Sequence, residues 1–121
     1  MVLLALTTST DKGSLAILKD GEILSVKSWE KKTHSEVLTY NFNLALRSAR
    51  LKPDALTAIA VDRGPGSFTG CRMAVNMART LGYSLKIPLF ATTSLNILAY
   101  EAASAHEGPI CAGFDGRTEE L

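Results

Sequence analysis

The residue types that carry metal and nucleophile chemistry are scarce in this chain. It has two histidines, His34 and His106, and the position four after His34 is Leu38. A zinc protease of the helical type needs two histidines four apart on one face, so that class is excluded. The two cysteines, Cys71 and Cys111, form no CxxC pair. That spacing excludes a zinc ribbon, and two cysteines are too few for a disulfide-built domain. Ser67 and Cys71 have no histidine partner evident in the sequence, which weakens a nucleophilic mechanism. An excess of one charge is lacking too: thirteen Lys and Arg against twelve Asp and Glu leave +1. This balance offers no general attraction to nucleic acid or to an anionic membrane. Long apolar runs are absent as well. Val2–Leu6 is followed by a run of hydroxyl residues and preceded by no basic segment. It is too short for a signal-peptide core or a membrane helix of about 20 residues. A cytoplasmic protein with no membrane contact is the expectation.

What is present centres on Ala58–Leu81, which reads AIAVD, RGPGSFTG, CRMAVNMARTL. The first piece is small and β-branched, a short buried strand. The last piece spaces Ala74, Met77, Ala78 and Leu81 by threes and fours, an amphipathic helix. The middle piece breaks both patterns with Gly64, Pro65, Gly66 and Gly70, and Ser67 or Thr69 can cap the helix that follows. Arg63 and Arg72 bracket it, and Phe68 stands within it. Exposed backbone, a helix start and two arginines suit an anion. The spacing nevertheless fits neither the Walker loop nor the dinucleotide fingerprint. Phosphate contact and a purely structural turn both remain open on these residues.

The rest of the chain supplies three strands and a helix before this unit and two strands with a helix between them after it. Val2–Leu6, Ser14–Leu18 and Ile23–Trp29 read as strands, the last two joined by Asp20-Gly21, a strong hairpin signal. Ser35–Leu51 reads as a helix with Leu38, Phe42, Ala45, Leu46 and Ala49 as its core stripe. Leu89–Ala91 reads as a strand, Thr93 or Ser94 as the cap of a helix to about Ser104, and Ile110–Asp115 as a final strand. The order β-β-β-α-β-α-β-α-β implies an α/β fold of the ribonuclease-H-like, actin-like ATPase type. The expected architecture is a five-stranded mixed sheet flanked by helices over 1–109, with the first strand of a truncated or absent second lobe over 110–121.

Arg63–Arg72 closely resembles the GRGPGSFTGxR signature of the TsaB (YeaZ) family. Leu4–Thr10, including Thr8 and Ser9, resembles that family's AIDTST. His34-Ser35 resembles its His-Thr, Pro88–Ala99 its later strand and Thr-Ser-Leu helix start, and Phe114–Arg117, with Asp115, its DAR segment. The family's early Asp is Thr7 here, and its later glycine in DARxGE is lost. The resemblance implies an actin-like fold in a non-catalytic subunit. Such a subunit partners a homologous catalytic subunit, TsaD, and an ATPase, TsaE, in threonylcarbamoyladenosine modification of transfer RNA. It also implies homodimers, members about twice this length with a second lobe, and older labels as protease-like proteins.

On that resemblance no catalytic residue and no metal ligand is assigned. The isolated chain is expected to need no cofactor, ATP or ADP contact arising only in the complex, and transfer RNA is engaged indirectly. Tyr40, Leu44 and Arg47 on the first helix lie beside its core stripe. With Met73, Met77 and Thr80 on the second they form the candidate partner surface. Gly70, Ala74 and Ala78 recur every four residues and let a neighbour approach closely, either a partner helix or the chain's own core. The rival class is a nucleotide-binding lobe of an actin-like ATPase or kinase, using Gly64–Gly70 for phosphate, or a protease-like homologue.

Overall fold

The computed structural model describes residues 1–30 and 34–114, with the backbone alone at His34 and Ser35. Five strands form one sheet: β1 (Val2–Thr7), β2 (Lys12–Lys19), β3 (Glu22–Glu30), β4 (Ala58–Asp62) and β5 (Leu89–Thr92). Their order across the sheet is β3-β2-β1-β4-β5. The first three make an antiparallel meander, while β4 and β5 add parallel to β1. At the β2–β3 hairpin, Asp20 and Gly21 both take positive φ, 51° and 84°, which fits a type I′ turn.

Strand alternation decides which face is covered. Leu4 and Leu6 of β1 lie beside Ile17 and Leu15 of β2 and beside Ile59 and Val61 of β4. All six are buried. Two helices lie over this face: α1 (His34–Ser48) against β2 and β3, and α2 (Phe68–Leu85) against β4 and β1. α1 contributes Leu38, Phe42, Ala45 and Leu46, the stripe its periodicity predicts. α2 buries Gly70, Ala74, Ala78 and Gly82. The small-residue stripe is therefore this lobe's own core contact. The opposite face presents Ala5, Ala16 and Ala60 in register, lining a shallow cavity of about 280 Å³. At its rim stands Ile97 of α3 (Ser94–Ala103).

Helix boundaries differ from those the sequence predicts: α1 ends at Ser48 rather than at Leu51, with Arg50 left-handed at φ 57°. α2 begins at Phe68 rather than after Gly70, because Ser67 caps it through Gly70 N–H at 3.2 Å. It also runs through Gly82 to Leu85, ending where Lys86 turns left-handed at φ 55° and Ile87 N–H bonds Gly82 C=O. The strand expected over Ile110–Asp115 does not form at residues 110–114. An apolar run becomes a strand only by pairing with a neighbour, and 110–114 join no strand of this sheet. Asp115 and the family-like segment after Phe114 lie outside the described residues. Among the described residues no helix is long and apolar enough to cross a membrane.

Candidate functional site

The carboxyl ends of β1, β4 and β5 lie side by side, the place where open α/β sheets gather functional loops. Asp62 closes β4 there and is 3% exposed. A buried carboxylate needs donors, and four groups supply them. Oδ1 accepts from Gly64 N–H at 2.8 Å and from Ser94 Oγ at 2.6 Å. Oδ2 accepts from Thr7 Oγ1 at 2.7 Å and Ser9 Oγ at 2.8 Å, and Ser94 Oγ also lies 2.7 Å from it. Burial pushes the Asp62 carboxyl up, but the bonds from Ser94, Gly64, Thr7 and Ser9 outweigh it and leave it below the ordinary carboxylate value. The same hydroxyls and amide fill about the four acceptor sites a carboxylate has.

The signature loop hangs from this point. Gly64 has φ 99°, and its C=O accepts from Ser94 N–H at 2.8 Å, tying the loop to the start of α3. The Gly64–Pro65 peptide is cis. Ser67 N–H donates to Ser9 C=O at 2.7 Å, and Thr8 Oγ1 donates to Gly70 C=O. The loop and the β1–β2 turn are so close that side chains are excluded. A Cβ on Gly66 would stand 2.2 Å from Ser9 O, and one on Gly70 1.9 Å from Thr8 O. Four amides of Arg63–Gly70 are thus engaged within the chain: Arg63, which donates to Thr92 C=O at 3.0 Å, Gly64, Ser67 and Gly70. Cys71 has its thiol pushed up by burial and then by the charge of Asp62, the opposite of what a reactive cysteine needs.

The loop's side chains point elsewhere. Arg63, Pro65, Thr69 and Arg72 are exposed, and Phe68 is 75% exposed. The Arg72 guanidinium lies over the Phe68 ring at 5.3 Å. The predicted partner residues divide in two. Tyr40, Arg47 and Thr80 are exposed, whereas Leu44 and Met73 are half-buried and Met77 packs partly against the lobe's own core. Tyr83 of α2, which the sequence analysis did not single out, is 89% exposed. Thr8 and Ser9 are buried at the loop contact, and His34 starts α1. Sequence reasoning also missed Asp62 and Ser94. The signal available was an acid and a hydroxyl residue each ending one of two adjacent parallel strands, with a capped helix start following the third. Among the described residues no three His, Cys, Asp or Glu side chains are grouped to hold a metal.

A family model described as TsaD, tRNA N6-adenosine threonylcarbamoyltransferase, matches residues 27–121. The tRNA threonylcarbamoyladenosine biosynthesis protein TsaB of Buchnera aphidicola subsp. Schizaphis graminum is 37% identical over 84% of this chain and 48% of its own length. The TsaB protein of Bacillus subtilis is 36% identical over 100% of this chain and 53% of its own. The chain belongs to the TsaB (YeaZ) family. The solved structure of YeaZ from Pseudomonas aeruginosa superposes with a TM-score of 0.80 at 36% identity, covering 86% of this chain and 50% of that one. The family's fold is therefore present as expected, an α/β lobe with a five-stranded mixed sheet flanked by three helices. The chain spans about half the length of the curated relatives it matches.

Proposed function

We propose that this chain acts as a non-catalytic partner subunit for a TsaD-type catalytic homologue in threonylcarbamoyladenosine modification of transfer RNA. Its relatives carry that pathway's name. The observation that carries the reading is how the signature loop spends its polar groups. Its four engaged amides and the Asp62 carboxylate are satisfied inside the lobe, while Phe68, Arg72, Tyr40 and Tyr83 stand in solvent on the outer side. A phosphate cradle needs its amides unspent, whereas a docking helix needs a fixed entry and exposed aromatic and arginine anchors.

On this reading Arg63–Gly70 is structural, and ATP or ADP touches it only within the complex. The outer faces of α1 and α2, with Tyr40, Leu44, Arg47, Met73, Met77 and Thr80, receive the catalytic subunit or a second copy of the chain. A TsaE-type ATPase joins through the assembly, transfer RNA is met indirectly, and the work takes place in the cytoplasm. Co-purification with the catalytic homologue, followed by assay of the modified nucleoside in cells depleted of the native partner, tests this. A stable complex that restores the nucleoside is the expected result. Failure to co-purify, with a monomer on sedimentation, would count against it.

A further inference from the structure

At the carboxyl edge of the sheet one carboxylate sits where either of two neighbouring strands could supply it. β1 and β4 run parallel with Ala5 beside Ala60 and Leu6 beside Val61. Thr7 and Asp62 come next in that register and project to the same open face. Their side chains meet at 2.7 Å. Ser9, Ser94 and the Gly64 amide converge on the same group. The donors come from the end of β1 and the turn after it, the signature loop, and the start of α3. With no carboxylate, three hydroxyls and an amide lose their acceptor. With two, like charges lie within hydrogen-bonding distance and one must take a proton. The cluster suits one.

We propose that Asp62 is a positioning residue for the signature loop, and that positions 7 and 62 are interchangeable sources of the one carboxylate around which that loop, the β1–β2 turn and the start of α3 assemble. Asp62 acts through Gly64, whose amide it holds and whose carbonyl holds Ser94, and so sets how the chain enters α2. This concerns the assembly of the edge and stands or falls separately from partner docking.

The test is a double-mutant cycle in the whole chain: Thr7→Asp, Asp62→Gly and the pair, read by thermal midpoint and by hydrogen exchange at the Gly64, Ser67 and Ser94 amides. Each single change should lower the midpoint by roughly 5–10 °C, the scale of one or two lost buried hydrogen bonds in a domain of this size. The pair should regain more than half of the summed loss and restore protection at the three amides. Glycine loosens the strand on its own account, so Asp62→Ala with and without Thr7→Asp forms a second arm. Additive losses in both arms, or a pair as open to exchange as the Asp62 single variant, would overturn the proposal. Should a single variant not fold, a cooperative transition in the pair supports it and the lack of one overturns it.

Discussion

Asp62 keeps its charge although it is almost wholly buried. Burial alone would drive its carboxyl upward; the Ser94, Gly64, Thr7 and Ser9 donors reverse the balance and hold it below 3.8. A carboxyl depressed on folding stabilises the native state above its unfolded value, and that contribution is lost as pH falls through the folded one. Asp62→Asn lacks it at every pH. Melting midpoints of the two proteins should therefore differ most near neutrality and converge as pH falls below the ordinary carboxylate range. A gap that stays constant across that range contradicts the account. Gly66 and Gly70 make a second case at this scale. A Cβ at either would press on a backbone oxygen, of Ser9 or Thr8, that cannot swing aside. Alanine at either position should cost about 2–3 kcal/mol by overpacking. Gly113→Ala, with nothing within 4 Å, should stay within about 0.5 kcal/mol. Chemical denaturation of the three variants decides it.

The elements differ in how firmly they are held, and the difference follows from what each buries. α1 sets four apolar residues into the core, whereas the one buried residue of α3 is Ser94, and Ile97, Leu98 and Tyr100 stand 41%, 40% and 82% exposed. An isolated helix of ten residues is marginal in water, so α3 leans on its Thr93 cap and the Ser94 anchors. Backbone exchange should be fastest in α3 and slowest in β1, β4 and the middle of α1. Equal protection of α3 and α1 would mean that the Ser94 contacts hold more than their burial suggests. At this scale the sequence is readable where one local rule suffices. Alternation marks β1 and β2, Asp-Gly marks the hairpin, and threes and fours mark α1. It misleads where a distant group decides. Gly70 reads as a helix breaker, yet it lies inside α2 because only a residue without Cβ can approach Thr8 O. Residues 110–114 read as a strand by composition, but composition supplies no partner for their amides.

At the scale of the whole molecule, two sides of the sheet have different fates. One is closed by α1 and α2; the other offers the Ala5, Ala16 and Ala60 row to a shallow cavity. The Asp62 cluster sits at the end of that open side, where the nearby Gly64 amide is joined by three hydroxyls 32 to 55 residues away in the chain. That distance is why no motif announces it, although the loop it anchors is the most recognisable piece of the sequence. The account's central claim is that this loop spends its polar groups on shaping α2 for a neighbour instead of on phosphate. Calorimetric titration tests it most directly, with the chain titrated first by ATP and magnesium and then by a TsaD-type catalytic homologue. The account predicts no heat of binding from the nucleotide and a one-to-one complex with the homologue. Micromolar nucleotide binding by the chain alone, with no complex, would contradict it.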